Sequence, residues 1–339
     1  MDPEDTVTAS PSLRVLALAG TLVLGLSTLP LPAAAADGGV AWSVQTADNA
    51  NGTGRANFSY DVDPGAVVTD TMVVVNTGTE PLPLAVYAAD AFTAPSGEID
   101  VLVDGAPSLG AGTWVAVPPT ALQLAPGESA DVAFTITVPA DARPGDHAAG
   151  IVTSLTSQDA SSTLSVDRRL GTRINLRVAG ELTPAAAVTG VTASYEGSWN
   201  PFDSGRLIVR YSLENTGNTR LTGLETVTTS GLAGVLSSTT TPTQVTEIIP
   251  ASTIDMEREM PAFSLGWITG TLTIAPAGVG LGAGAVSEVV TDFAIPAVPW
   301  SLYGLIALVA GAAVAIALVV RRSMRRRDAG RPAADAQAV

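Results

Sequence analysis

The sequence predicts an all-β protein: two antiparallel sandwiches in tandem, held outside a membrane that the C-terminal segment crosses. Three observations carry this reading. Apolar residues alternate with polar ones over short runs, as Val132, Phe134, Ile136 and Val138 do with Asp131, Ala133, Thr135 and Thr137. That is the period of an extended strand with one buried face. Turn formers separate the runs, among them Asp63-Pro64-Gly65, Pro126-Gly127 and Pro144-Gly145, where proline presets φ and glycine takes the permissive next position. Finally, Ser301 to Val320 are twenty residues without a charge, followed by Arg321, Arg322, Arg325, Arg326 and Arg327.

Taken from the N-terminus, the apolar run Leu13 to Leu31, then Ala34-Ala35-Ala36 and Asp37, reads as a secretory signal peptide over 1–36. Its leading segment is unusual for such a signal, with Asp2, Glu4 and Asp5 against the single Arg14. Strands are expected at Val40–Gln45, Ala56–Val62, Thr69–Asn76, Leu82–Ala89, Trp114–Val117, Leu122–Leu124, Asp131–Val138 and Gly150–Leu155. Seven or eight short strands in about 120 residues is an immunoglobulin-like number, so 37–157 is read as one such sandwich. The Ser-rich polar stretch 158–167 is read as a linker. A second sandwich is expected over 168–296, from strands at Ile174–Val178, Leu207–Leu213, Leu224–Thr229, Val245–Ile249, Ile254–Met260, Ile268–Ile274 and Val286–Phe293. "VVVNTGTEPL" at Val73 and "SLENTGNTRL" at Ser212 each end a strand in Asn-Thr-Gly, a faint repeat that suggests two similar modules.

Residues 300–320 are expected to span a membrane. Twenty helical residues rise about 30 Å, the thickness of a bilayer core. Trp300 and Tyr303 sit where aromatics favour the interface, and the basic tail 321–339 is placed in the cytoplasm by the positive-inside rule. Everything before Trp300 is then outside the cell. Only six residues, two of them proline, separate Phe293 from Trp300, so the second module is expected close to the bilayer.

Composition narrows the function. The chain has no cysteine and no lysine, and a net charge of −15. Between Asp37 and Val298 there are 27 acids against 10 arginines. So acidic a body argues against nucleic acid, whose binding depends on cationic residues at phosphates. His147 is the single histidine. No Ser-His-Asp triad can be assembled without it, and no zinc site has enough ligands. The expectation is a non-enzyme with no catalytic residues, metal or cofactor. Paired acids do occur at Asp61/Asp63, Asp100/Asp104 and Glu257/Glu259. A wall-glycan hydrolase using two carboxylates is the reading they leave open.

One basic feature stands against that acidic background. Arg169, Arg173 and Arg177 share a strand face, opposite Ile174, Leu176 and Val178. Guanidinium pairs bidentately with carboxylate or phosphate. These three are the candidate ligand-binding residues, for an anionic polymer. The competing reading is a face salt-bridged to acids on a neighbouring strand.

The run "NFSYDVDPGAVVTDTMVVVNTGTEPLPLAVYAADAF", followed by "WVAVPPTALQLAPGESADVAFTITVPADARPGDHAAGIVTSL", resembles the actinobacterial relatives of WxL-interacting proteins. The likeness covers about Trp42 to Leu155, the family's peptidoglycan-binding domain, formerly a domain of unknown function. Arg168 to Phe293 corresponds less closely to the second domain. The resemblance implies tandem immunoglobulin-like domains on one membrane helix, with peptidoglycan or another anionic wall polymer, and surface proteins bearing the WxL module, as partners. The expected function is therefore a non-catalytic, wall-facing binding or scaffold protein of the cell membrane. The alternative is a pilus-chaperone-like role, in which an exposed edge strand pairs with an extended client segment.

Overall fold

The computed structural model describes residues 39–118, 120–158, 165–231, 234–280 and 286–329. The expected signal peptide over 1–36 lies outside these residues, as do 159–164 of the expected linker and 330–339 of the tail. The architecture is all-β: tandem immunoglobulin-like sandwiches followed by one long helix.

The first sandwich is built from β1 (Trp42–Thr46), β2 (Phe58–Val62), β3 (Val67–Asn76), β4 (Leu82–Thr93), β5 (Ile99–Val101), β6 (Val115–Ala116), β7 (Ala121–Leu124), β8 (Ser129–Thr137), β9 (Gly145–Gln158) and β10 (Ser165–Val178). One sheet runs β1-β3-β8-β6, the other β2-β10-β9-β4-β5, with β7 also on β4. The alternation seen in the sequence places Val132, Phe134 and Ile136 of β8 inward, each at most 2% exposed. They pack with Met72 of the neighbouring β3 and with Phe58, Ile151, Ile174 and Leu176 from the facing sheet. Phe58 and Phe134 touch edge to face at 4.8 Å between ring centroids, the arrangement the ring quadrupoles favour.

The second sandwich uses β11 (Ala186–Glu196), β12 (Gly205–Asn215), β13 (Leu221–Gly231), β14 (Ser238–Thr239), β15 (Thr243–Ile248), β16 (Thr253–Ala262), β17 (Gly266–Gly278) and β18 (Val289–Ala297). Its sheets are β11-β12-β16 and β14-β13-β17-β18, with β15 on β13. Leu207, Val209, Val227, Ile254 and Leu272 are its buried centre. β11 was not expected from the sequence. Its side chains are only half-buried, and a register shift between Thr189 and Thr192 interrupts the alternation.

The expected boundary moves. Ser165–Val178 pairs antiparallel with β9 along its whole length, and Ile174–Val178 pairs parallel with Phe58–Val62 of β2. Residues 168–178 therefore close the first sandwich instead of opening the second. Of the expected linker, Gln158 belongs to β9 and Ser165–Asp167 to β10, and the passage to the second sandwich falls between Val178 and Ala186. Ala91, Ala148 and Ile249 form a small apolar cluster where the two sandwiches meet. Thr93 reinforces the joint: its N–H donates to Ser252 Oγ at 3.2 Å, and Ile249 N–H donates to its hydroxyl at 3.0 Å. The chain then enters α1 (Trp300–Ala329), of which Trp300–Arg326 is long and apolar enough to cross a membrane, an 18-residue stretch of it reaching mean hydropathy 2.5.

Candidate functional site

Strand β10 carries both the sequence-predicted arginines and the feature that matters most. Fourteen residues at about 3.3 Å each make it roughly 45 Å long, against ~17–20 Å for an ordinary strand. Its inner edge is fully paired with β9, but β2 covers only Ile174–Val178 of its outer edge. Among the described residues, no strand pairs with the outer edge of Asp167–Arg173, the condition that templates an added strand.

Side chains continue the contrast. On the face that buries Ile174, Leu176 and Val178, the same parity leads back to Leu170 and Val166, which are 39% and 52% exposed. The inward face thus runs out past the core and leaves two apolar side chains beside the open edge. Trp42 Nε1 donates to Thr153 Oγ1 at 2.8 Å, and that hydroxyl donates to the Leu170 carbonyl at 2.8 Å. This chain fastens the hairpin to β1 in the middle of the open stretch, so the edge is held in extended form.

Arg169, Arg173 and Arg177 do lie on the opposite face, and each faces acids of the chain itself. Arg177 grips Asp146 with Nε on Oδ1 and Nη2 on Oδ2, both at 2.7 Å, and reaches the Val279 carbonyl at 2.6 Å. The Asp146 bond raises the Arg177 pKa. Asp146, buried, also accepts the Arg220 N–H at 2.7 Å. Arg173 and Arg220 share Glu247 Oε1, at 3.1 and 3.2 Å. Asp146, Arg173 and Arg177 belong to the first sandwich, whereas Arg220, Glu247 and Val279 belong to the second. Two of the three candidate arginines therefore clamp the joint. Arg169 donates to the Val101 carbonyl at 3.1 Å and has Asp100 and Asp167 at 3.7 and 3.8 Å. It lines a shallow hollow of about 570 Å³ with Asn57, Asp100 and Arg173.

The remaining candidates are placed as follows. His147 stands near the start of strand β9, opposite Leu176, with its ring 4.7 Å from that of Trp114 and Nε2 2.8 Å from the Arg143 carbonyl. Glu257 pairs with Arg210 at 2.8 Å, and Glu259 approaches Arg206 at 3.6 Å. Two clusters hold perturbed acids. Burial alone would raise the Asp70 carboxyl. Hydrogen bonds from Arg55, Tyr60, Asn49 and the Thr71 N–H outweigh it and hold the group well below the usual carboxylate range. Glu225, 2% exposed, moves the other way: burial raises its pKa against the pull of the Arg258 charge.

Sequence reasoning missed the open edge because alternation reports which face a residue occupies, not which strand lies alongside. The signal that was available is length. "SVDRRLGTRINLRV" alternates or tolerates alternation over fourteen residues, too many for the thickness of one sandwich.

No family model and no curated protein matches the chain. Among solved structures, the class 5 fimbriae chaperone CfaA is similar at 12% identity and TM-score 0.33, over 76% of this chain and 100% of that one. The E. coli chaperone DraB is similar at 13% identity and TM-score 0.31, over 75% and 99%. The PapD-like domain 7 of human CEP192 follows at 13% identity and TM-score 0.26, over 41% and 86%. The likeness is one of fold.

Proposed function

We propose that this protein is a membrane-tethered, non-catalytic binding protein that takes up an extended segment of a partner protein as an added strand on β10. The observation that carries this is the half-covered edge: Asp167–Arg173 is held straight by β9, has no strand on its other side among the described residues, and lies beside the exposed side chains of Val166 and Leu170. Main-chain hydrogen bonds would supply affinity and the two apolar side chains register. Arg168, exposed along the same stretch, opposes pairing of one copy with another, the usual role of charge on an edge. It also favours a client with an acidic side chain at the facing position.

Helix α1 anchors the assembly by spanning the membrane, with both sandwiches outside and the arginines after Val320 in the cytoplasm. Wall-polymer binding through Arg169, Arg173 and Arg177, implied by the WxL resemblance, has less support, because Asp146 and Glu247 already occupy two of these guanidinium groups.

The test uses the full chain in its own cells with a photoreactive benzophenone side chain at position 170. A polypeptide adduct is expected there, absent from a probe at position 206 and lost when Val166→Glu is added. If no polypeptide is captured, and purified peptidoglycan sediments the protein equally with and without Val166→Glu, the strand-pairing reading is replaced by the wall-polymer one.

A further inference from the structure

Large apolar side chains on the surface of the sandwiches are not evenly spread. Trp199, Phe202 and Trp267 are 97%, 75% and 44% exposed, and no other aromatic outside α1 is comparably exposed among the described residues. All three stand at one end of the second sandwich. Strand pairing fixes this placement: Glu196 is opposite Arg206, Gly205 opposite Ala262, Gly231 opposite Ile268, and Gly266 opposite Ala297. The loops after β11, β13 and β16 therefore emerge at the same end as the entry to α1. Val235, Leu236 and Leu265, all 41–52% exposed, lie on the second and third of these loops.

Two hydrogen bonds set the height of this end against the helix. Ser301 Oγ donates to the Ser198 carbonyl at 2.6 Å, one residue before Trp199. The Tyr303 hydroxyl donates to the Leu265 carbonyl at 2.8 Å, two residues before Trp267. At 1.5 Å rise per residue, the loops are tied within about 5 Å of the start of α1. That is the depth at which Trp300 and Tyr303 would meet the headgroups of a spanned bilayer.

The loop bearing the most exposed pair is also shaped. Asn200 Nδ2 donates to Asp203 Oδ2 at 2.8 Å, and its carbonyl oxygen Oδ1 accepts the Phe202 N–H at 3.2 Å. Pro201 stiffens the same turn. The side chain of Asn200 thus holds a compact turn with Trp199 before it and Phe202 within it, both facing away from the protein core.

We infer that this end of the second sandwich is a membrane-contact surface: Trp199, Phe202 and the apolar tips of the neighbouring loops enter the interfacial layer of the bilayer that α1 crosses. This rests on the reading of α1 as a membrane span. The contact would add to the Ser301 and Tyr303 hydrogen bonds in limiting the tilt of the sandwiches over the membrane. Tryptophan suits the place, because its ring is apolar while its N–H still finds water or headgroup oxygen.

The chain has no cysteine, so single nitroxide labels can be placed without background. The full chain, labelled at Phe202→Cys, Leu109→Cys or Leu308→Cys, is reconstituted into phosphatidylcholine vesicles. Collisions with oxygen and with an aqueous nickel chelate are then read by electron paramagnetic resonance. The expected result is nickel collision several-fold lower, and oxygen collision higher, at 202 than at 109, the 92%-exposed position in the first sandwich. A label at Val235→Cys repeats the measurement on a neighbouring loop. If 308 is shielded while 202 and 235 behave like 109, the contact surface is refuted and the membrane span stands. If 308 is as accessible as 109, the span itself fails and the inference fails with it.

Discussion

The two sandwiches build the same corner from the same residues. In the first, Asn76 Nδ2 donates to the carbonyls of Glu80 and Leu124, at 2.8 and 3.0 Å, while its Oδ1 accepts the Gly78 N–H. In the second, Asn215 Nδ2 donates to the carbonyls of Thr219 and Ile248, at 2.7 and 2.9 Å, and its Oδ1 accepts the Gly217 N–H. Main-chain bonds match too: Thr77 and Gly78 donate to the Ala41 carbonyl, as Thr216 and Gly217 do to that of Ala185. Away from the corner the modules diverge. The first buries an ion-paired Asp70 and extends an open-edged hairpin, whereas the second buries Glu225 and carries the aromatic base. One frame thus carries two different ends, an open-edged hairpin on the first module and exposed aromatic loops on the second.

The largest expected effect separates the two buried acids. Asp70→Ala leaves Arg55 facing an emptied, buried site and should cost about 3–5 kcal/mol, read from denaturant unfolding. The pH response should differ in sign. The Asp70 pKa is depressed, so its contribution is present above the ordinary value of about 3.9 and fades as pH falls through the folded value. The Glu225 pKa is raised, so its contribution is complete below about 4.3 and fades as pH rises through the folded value. Asp70→Asn should flatten the acid loss, and Glu225→Gln should flatten the opposite slope. Equal slopes for the two variants would break the contrast.

Next in size, the corners should respond alike. Asn76 and Asn215 are 1% and 0% exposed, and each satisfies two carbonyls and one N–H. Truncation to alanine strands these groups, at about 1–3 kcal/mol for each one left buried without a partner. We expect a loss of about 3 kcal/mol for Asn76→Ala and the same for Asn215→Ala, within error. A large difference would show that the corners only look alike.

Much of this was legible in the sequence. Alternation located most strands, and the repeated Asn-Thr-Gly marked the two corners although it names only common turn residues. The face shared by Arg169, Arg173 and Arg177 was also legible. Their partners were not: Asp146 lies 31 positions from Arg177, and Glu247 lies 74 from Arg173. Periodicity gives orientation within a strand, and the choice of neighbour is made by packing over the whole chain. The membership of β10, and with it the open edge, was lost for that reason.

The smallest effect tests how far the correspondence reaches. The turn that closes each corner has a left-handed residue after proline: Gly127 at φ 77° and Ala251 at φ 61°. Gly127 N–H donates to the Asn76 carbonyl, and Ala251 N–H to that of Asn215, both at 3.0 Å. Left-handed backbone costs an L-residue about 1–2 kcal/mol, while glycine costs roughly 0.5–1 kcal/mol in entropy. Ala251→Gly should therefore gain about 0.5 kcal/mol by the balance of these terms. Gly127→Ala should lose about as much, since a Cβ there would meet nothing within 4 Å and the cost is conformational alone. Ala251 also borders the hollow at the joint, beside Ala91, Ala148 and Ile249. If thermal unfolding shows Ala251→Gly to be destabilising, its methyl group contributes packing between the sandwiches that Gly127, away from the joint, has no occasion to supply.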